Sequence, residues 1–249
     1  YQICAPIQLT RVASHLSSTF KLTSNLDMAT IGAMDAIGIA PAMFTGVFDG
    51  NHRVIRNLRL HPTIQTKGLF GHIQGATIRD LVLRDAVVNS DHMFGGLVGT
   101  NFNGTISRCG AENVATLGLT RMGGLVGHNH GTIERSWATG SVTVRAGGSS
   151  VSIGGLAGFN SGVIRDSYST ATVSGTALAT WVGGIVGQNY GGSITRSYAA
   201  GLVSGNGASS VGGLIGENSA GGSVTSSYWD IQSTAQGTSG SDSGTTGLT

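Results

Sequence analysis

The acidic residues are the first candidates for chemistry, because enzymes that cleave sugar chains need a pair of carboxylates on one face. The chain contains twelve: Asp27, Asp35, Asp49, Asp80, Asp85, Asp91, Glu112, Glu134, Asp166, Glu217, Asp230 and Asp242. Internal repeats, described below, align opposite charges at neighbouring positions: Asp80 with Arg108, Glu134 with Arg165, and Asp166 with both Arg135 and Arg196. Such pairs stabilise a sheet by roughly 0.2–1 kcal/mol each. No two carboxylates align in adjacent repeats, so the sequence predicts structural ion pairs and no catalytic residue.

Histidines are the next candidates, as metal ligands. His128 and His130 flank Asn129 and are expected to point to the face opposite it. A two-histidine site needs a third ligand, and Glu217 aligns with His128 only three repeats later. Asp85 and Asp91 lie six residues apart around Asn89 and could favour a cation, but they are interpreted as solvated turn residues. The sequence therefore predicts no metal site and no cofactor, and it lacks a His-Glu-x-x-His motif and a nucleophile-elbow motif, although Ser-His-Asp catalysis stays open.

An aromatic column is the most suggestive candidate for binding. One position in four successive repeats holds Trp137, Tyr168, Tyr198 and Tyr228. Exposed rings in register would form a platform for sugar rings. The alternative is that the rings stack on one another and cover glycine-rich turns.

Small hydroxyl residues form a second, weaker candidate face. Its members are Thr139, Ser141, Thr143, Thr170, Thr172 and Ser174. Regular arrays of this kind resemble the surfaces of ice-binding β-solenoids. Leu202 interrupts the array, and Thr and Ser are common in strands for propensity alone.

The elements that position these side chains are repeats of a Gly-Gly-Leu-Val-Gly type. They begin at Gly95, Gly123, Gly154, Gly183 and Gly212, and a relative, Lys67-Gly68-Leu69-Phe70-Gly71, precedes them. Counted from the second glycine, or from Gly68 in the relative, the spacings are 28, 28, 31, 29 and 29 residues. A rung of this length cannot bury its apolar side chains alone, so successive rungs must stack.

An asparagine follows each full element by two residues: Asn101, Asn129, Asn160, Asn189 and Asn218. Stacked rungs would bring these amides together in a hydrogen-bonded ladder. The sequence predicts an all-β protein, a parallel β-helix (β-solenoid) with right-handed winding, and it predicts that glycines form the corners through positive φ or close backbone approach.

The ends of the chain differ from the repeats. Apolar residues between Pro6 and Leu16 follow helical spacing and predict a short N-terminal capping helix. Two strands are predicted around an Asp49-Gly50-Asn51 turn. We expect one continuous domain: an N-terminal cap and first rungs (1–66), the solenoid repeats (67–230), and a tail or linker rich in Ser, Gly and Thr (231–249).

Composition limits the partners. The net charge is +2, and there is no basic run, which disfavours nucleic-acid binding. No apolar stretch is long enough to insert into a membrane. Cys4 and Cys109 neither require nor exclude a disulfide.

The series Gly-Gly-Leu-Val-Gly-x-Asn, Gly-x-Ile, Ser-Tyr and Val resembles the GLUG-motif repeats of bacterial secreted and surface proteins. The residues at 44–51 (Phe-Thr-Gly-Val-Phe-Asp-Gly-Asn), 68–71 (Gly-Leu-Phe-Gly) and 228–230 (Tyr-Trp-Asp) are similar to the usual flanks of that family. The resemblance implies a β-helix, an extracellular bacterial setting and adhesin-like relatives, and it implies no catalytic residue.

Three functions follow as hypotheses. The first is a non-catalytic structural or adhesive module that displays its columns to a glycan or a cell-surface protein, or that self-associates. The second is a carbohydrate-active β-helix enzyme, either lyase or hydrolase. The third is an ice-binding protein.

Overall fold

The structure is a computed structural model, and it describes residues 1–61, 67–145, 151–240 and 245–249. In chain order, the elements as far as Gly123 are β1 (Gln2–Ile3), α1 (Pro6–Thr10), a 3-10 turn (Arg11–Ser14), β2 (Thr19–Leu22), β3 (Leu26–Asp27), a 3-10 turn (Met28–Thr30), β4 (Ala33–Met34), β5 (Val47–Arg56), β6 (Arg59–Leu60), β7 (Phe70–Gln74), β8 (Thr77–Arg84), β9 (Val87–Ser90), β10 (Phe94–Gly95), β11 (Val98–Phe102), β12 (Thr105–Ser107), β13 (Gly110–Gly118) and β14 (Arg121–Gly123). The remaining elements are β15 (Val126–Asn129), β16 (Thr132–Glu134), β17 (Trp137–Val144), β18 (Val151–Gly154), β19 (Ala157–Asn160), β20 (Val163–Arg165), β21 (Tyr168–Ser169), β22 (Thr172–Ser174), β23 (Ala179–Gly183), β24 (Val186–Tyr190), β25 (Ser193–Thr195), β26 (Tyr198–Ala199), β27 (Val203–Ser204), β28 (Ser210–Gly212), β29 (Ile215–Ser219), β30 (Ser223–Thr225), β31 (Ser227–Asp230), α2 (Ile231–Thr234) and β32 (Thr245–Leu248).

The strands wind into about seven turns of a parallel solenoid. Within the described residues, 21 strands form one large sheet, six form a second (β7, β11, β15, β19, β24 and β29), and five form a third (β10, β14, β18, β23 and β28). A typical rung contributes β7 to the second sheet, β8 and β9 to the large sheet, and β10 to the third. The predicted fold, an all-β parallel β-helix with a short N-terminal helix, is confirmed.

The core is a set of columns, because equivalent residues of successive rungs lie directly over one another. The leucine of the repeat element is fully buried in every copy: Leu69, Leu97, Leu125, Leu156, Ile185 and Leu214. The β-branched position stacks in the same way, with Ile106 paired to Ile78 and Ile133. Each rung thus buries apolar side chains against its neighbours, as stacking of repeats requires.

At the rung corners the glycine doublets follow one of the two predicted alternatives, close backbone approach. The glycine doublets do not adopt positive φ. A Cβ on the second glycine of a doublet, such as Gly124, would overlap the carbonyl oxygen of the next rung's doublet, so these glycines are needed for close approach. Positive φ occurs instead in the charged column, at Asp80 (54°), Arg108 (52°), Arg135 (49°), Asp166 (52°), Arg196 (47°) and Ser226 (50°). Asp80 lies within β8, and each of the other five residues lies between two strands of the large sheet.

The expected pair of strands around Asp49-Gly50-Asn51 is also corrected. Residues 47–56 form one strand, β5, and both of its halves pair in parallel with β8. The register shifts between Asp49 and Arg53, where Asn51 and His52 have φ values of 51° and 58°. The feature is a corner of the rung, because the next strand of a solenoid continues forward rather than folding back.

The N-terminal end of the solenoid is covered by α1 and the 3-10 turn that follows it. Leu9 and Val12 are fully buried in the core. The side-chain Oε1 of Gln8 accepts hydrogen bonds from the backbone N–H groups of Cys4 (2.7 Å) and Ala5 (3.0 Å), which stabilises the start of the helix.

The C-terminal end is covered by the last residues of the chain. Strand β32 pairs in parallel with β31, and the Gly240 N–H donates to the Ile215 carbonyl (2.8 Å). Trp229 is buried beneath this segment, and its Nε1 donates to the Gln236 carbonyl (2.9 Å). Described residues on both sides of position 230 therefore share one sheet.

No helix among the described residues is long and apolar enough to cross a membrane. Cys4 and Cys109 are free thiols, and Cys109 is buried. Burial raises the pKa of the Cys109 thiol to about 12.

Candidate functional site

The asparagine column forms the hydrogen-bonded ladder that the repeat spacing predicts. Each Nδ2 donates to the Oδ1 of the next rung, at 2.8 Å from Asn101 to Asn129 and 2.7 Å from Asn160 to Asn189. Asn160 illustrates how completely each amide is satisfied, since it also donates to the Gly162 carbonyl (3.2 Å) and accepts from the Gly162 N–H (3.3 Å). These side chains are buried and hold the rungs together, so they are not available to a ligand.

The charged column forms ion pairs between rungs. Arg108 donates to both carboxylate oxygens of Asp80, at 2.6 and 2.9 Å, and the equivalent pairs join Glu134 to Arg165 and Asp166 to Arg196. The structure pairs Asp166 with Arg196 and gives it no salt bridge with Arg135. Hydrogen bonds from the arginines lower the pKa values of Asp80, Glu134 and Asp166, so all three are ionised at neutral pH.

Asp85 and Asp91 have separate partners. Asn113 Nδ2 donates to Asp85 (2.6 Å), and Arg145 forms an ion pair with Asp91 (2.7 Å). Among the described residues no three His, Cys, Asp or Glu side chains come together as a metal site.

The aromatic column lies on the outer surface of the large sheet. Trp137 pairs with Tyr168, Tyr168 with Tyr198, and Tyr198 with Tyr228. Tyr168 is 43% exposed and Tyr228 is 39% exposed, while Trp137 and Tyr198 are half-buried. We call these four residues the aromatic ladder.

Both interpretations of the aromatic ladder find some support. Trp137 and Tyr168 stack with nearly parallel rings, 6.3 Å between centroids, and Trp137 Nε1 donates to Glu112 (3.3 Å). Gly110 precedes Trp137 in the column and leaves room for the indole ring. The ladder therefore has one stacked pair and also offers exposed ring surface.

The hydroxyl residues are in register but do not form an uninterrupted array. Ser141 pairs with Thr172, and Thr143 pairs with Ser174. Thr139 accepts a hydrogen bond from the Asn113 N–H (2.8 Å). Leu202, 48% exposed, follows Thr172 in the next rung and breaks the hydroxyl surface.

A third surface was missed by the sequence analysis. A groove of about 450 Å³ lies where the outer surfaces of the second and third sheets meet. Its lining residues are Arg121, Ser152, Phe159, Trp181, Gln188 and Tyr190. We call it the aromatic groove.

Two columns form this groove. Arg121, Ser152 and Trp181 lie in one column of the third sheet. In the second sheet, His128, Phe159, Gln188 and Glu217 follow one another in register. The glycine doublets connect these sheets through a tight turn, so the two columns face the same side.

The two histidines beside Asn129 lie at one end of the aromatic groove. Asn129 is fully buried and points inward, whereas His130 is partly exposed, as its position opposite Asn129 predicts. The His128 and Phe159 rings meet edge to face, with 4.4 Å between their centroids. Burial, with the nearby positive charges of His130 and Arg121, lowers the pKa of His128 to about 3.

Comparison with known proteins identifies the repeat. The family model described as the GLUG motif matches residues 149–174 and 180–204. The chain carries GLUG repeats. The resemblance drawn from the sequence is thereby confirmed.

A solved structure has the same fold. The crystal structure of a putative immunoglobulin A1 protease from Bacteroides ovatus superposes with a TM-score of 0.78 at 24% sequence identity, covering 99% of this chain and 81% of that chain. At this identity the likeness shows a shared β-helix fold alone. No curated protein matches the sequence.

The GLUG motif itself contains the signal that could have located the aromatic groove. Trp181 stands two residues before a glycine doublet, and Gln188 and Tyr190 flank the ladder asparagine, Asn189. These positions differ between repeats and adjoin the glycine doublet or the ladder asparagine. Comparing them between repeats would have revealed a surface rich in aromatic and histidine side chains.

Proposed function

We propose that this chain is a non-catalytic, glycan-binding module of a secreted or cell-surface bacterial protein. The observation that carries the proposal is the aromatic ladder, in which successive rungs display rings in register on an exposed sheet. Aromatic faces pack against the apolar faces of sugar rings, and rings held on a rigid scaffold lose little conformational entropy on binding. The GLUG repeats and the β-helix fold are consistent with an extracellular module.

The non-catalytic part of the proposal rests on the carboxylates. Acid–base cleavage of a glycan needs one carboxyl as an acid and another as a base or nucleophile. In the charged column, the carboxylates pair with arginines, which hold their pKa values down. A carboxylate held in its ionised form is a poor general acid.

A glycan array tests this proposal. The wild-type protein should bind at least one class of neutral oligosaccharide, and the double variant Tyr168→Ala/Tyr198→Ala should bind it at least tenfold more weakly. Leu202→Ala is the matched control, since it removes an exposed apolar side chain from the same sheet, and it should bind as the wild type does.

Three outcomes would overturn the proposal. The first is a double variant that folds normally by circular dichroism and binds neutral glycans as tightly as the wild type. The second is a wild type that binds no neutral glycan. The third is release of reducing ends or unsaturated products from a polysaccharide panel, which would make the module an enzyme.

A further inference from the structure

The aromatic groove contains an arginine without an acidic partner. Arg121 is half-buried, and no carboxylate forms an ion pair with it among the described residues. Seven other arginines do form such pairs: Arg56, Arg79, Arg84, Arg108, Arg145, Arg165 and Arg196. The other four arginines, Arg11, Arg53, Arg59 and Arg135, are exposed, so among the described residues Arg121 is the only partly buried arginine without a carboxylate partner.

The position of Arg121 is set by apolar contacts. Its guanidinium carbon lies 4.6 Å from the centroid of the Phe159 ring, and its Nη1 donates a long hydrogen bond to Met93 Sδ (3.9 Å). Burial lowers the pKa of Arg121, yet a guanidinium stays charged at any physiological pH. A stacked, partly desolvated guanidinium with free N–H donors is well suited to a planar carboxylate.

The rest of the groove offers ring faces and hydrogen-bonding groups. Tyr190 is 52% exposed, and its ring stacks with Phe159 at 6.1 Å. Within the described part of the chain, the Tyr190 hydroxyl and Trp181 Nε1 have no hydrogen-bond partner. Gln188 uses its Nε2 to donate to Glu217 (2.9 Å), so its Oε1 remains an acceptor.

The dimensions of the groove match a short oligosaccharide. Arg121 and Trp181 lie two rungs apart, which is about 10 Å at the spacing of β-strands. A ligand with a charge at one end and a ring face about two sugar units away would satisfy both residues. Binding sites for small ligands commonly combine apolar walls with a few polar groups in this way.

We infer that the aromatic groove binds an acidic sugar, with its carboxylate on Arg121 and a pyranose ring against Trp181 and Tyr190. An acidic peptide fits less well, because a peptide that binds as an added strand needs an unpaired strand edge, and the groove crosses the faces of sheets whose strands are paired on both sides. The inference shares its ligand class with the proposed function but concerns a different face, so either can fail alone.

Isothermal titration calorimetry tests the inference on the full chain. The probes are trisaccharides ending in glucuronic acid, galacturonic acid or N-acetylneuraminic acid, each with a neutral counterpart whose carboxylate is reduced to an alcohol. The wild type should bind at least one acidic probe at least tenfold more tightly than its counterpart. Arg121→Gln should abolish this preference and leave binding of the neutral counterpart unchanged.

Two further variants keep the test decisive. Tyr190→Ala, at an exposed position that should not affect folding, should weaken binding of both probes by at least fivefold. Tyr168→Ala/Tyr198→Ala should leave binding in the groove unchanged, because the aromatic ladder lies on the other sheet. If only this ladder variant loses binding of the acidic probe, the probe binds at the aromatic ladder and the inference about the aromatic groove is wrong.

The inference is overturned if no acidic probe is preferred, if folded Arg121→Gln retains the preference, or if an acidic peptide of equal charge binds more tightly than every acidic sugar. Arg121→Lys covers the case in which the glutamine variant does not fold. It keeps the charge but loses the planar pair of donors, so it should retain a reduced preference, several-fold below that of the wild type.

Discussion

At the residue scale, His128 shows how a GLUG repeat can hold a titratable group in an unusual state. Its Nε2 is buried and has no hydrogen-bond partner among the described residues, and its Nδ1 lies 3.1 Å from Met93 Sδ. Protonation would place a charge in an apolar setting next to Arg121. The imidazole therefore stays neutral in the folded protein, with a pKa of about 3.

This depressed pKa predicts a loss of stability in mild acid. Below its ordinary pKa of about 6.5 the unfolded chain binds a proton at His128 that the folded chain does not, so the free energy of unfolding falls as pH falls. When the pH falls from 7 to 5, the free energy of unfolding should drop in both proteins. The drop in His128→Thr should be about 1–2 kcal/mol smaller than the drop in the wild type. Urea unfolding at the two pH values measures the difference.

The control for this experiment is His92→Thr, which removes an exposed histidine and should keep the pH dependence of the wild type. Asp80, Glu134 and Asp166 act in a lower pH window: because their pKa values are lowered in the folded state, the stability they contribute is lost only as the pH falls below about 5. If the free energy of unfolding depends on pH equally in His128→Thr and the wild type, the conclusion that His128 is buried and neutral is wrong.

At the scale of the element, the asparagine ladder connects the turns of neighbouring rungs. Asn160 has four hydrogen bonds, two within its own turn and two to the asparagines of the neighbouring rungs. Unsatisfied buried polar groups cost about 1–3 kcal/mol each. A gap in the ladder therefore affects three rungs at once.

We predict that Asn160→Ala lowers the free energy of unfolding by about 3 kcal/mol or more. The substitution leaves Asn129 Nδ2 and Asn189 Oδ1 without their partners, and it also removes the side chain that binds the Gly162 turn. Denaturant unfolding followed by circular dichroism measures the effect.

Asn89→Ala is the matched control. Asn89 is exposed on β9 and its side chain makes no hydrogen bond in the described structure, so the expected change is within about 0.5 kcal/mol. A loss of less than about 1 kcal/mol in Asn160→Ala would mean that water replaces the amide and that the ladder contributes little.

At the scale of the whole molecule, a solenoid must cover the edge strands at its two ends. Unpaired N–H and C=O groups at such an edge are templates for pairing with another chain. The N-terminal helix covers one end, and β32 with the segment around Gly240 covers the other. In this structure β32 therefore occupies the edge of β31 that would otherwise be unpaired.

Removing residues 235–249 should expose the edge of β31 and produce concentration-dependent association. The full chain should remain monomeric from 1 to about 100 μM, the micromolar range in which exposed edges aggregate, while the truncated chain forms dimers or larger species. Sedimentation velocity or size exclusion with light scattering measures this. The uncovered Trp229 ring adds an apolar surface at the same end.

The truncated chain with Tyr228→Lys tests the mechanism. A lysine on an edge strand opposes pairing with another chain, so this variant should return to a monomer. A truncated chain that stays monomeric and folded at every concentration would show that β32 is not needed to protect the edge.

The sequence by itself determined the period, the rung-to-rung contacts and much of the surface pattern. In a parallel, in-register stack, residues one repeat apart become neighbours in space, so Asn160 over Asn189 and Asp80 beside Arg108 follow directly from alignment. The aromatic ladder follows for the same reason. Contacts of this kind need no knowledge of the cross-section of the solenoid.

Only the tertiary structure decided where different columns meet. Trp181 and Gln188 belong to different sheets, and the angle of the glycine turn between them brings both into the aromatic groove. The same applies to the burial of His128 and to the C-terminal segment, whose sequence has no repeat pattern yet adds the strand β32. These features depend on how side chains pack around the corners of a rung, which the spacing of the repeats does not specify.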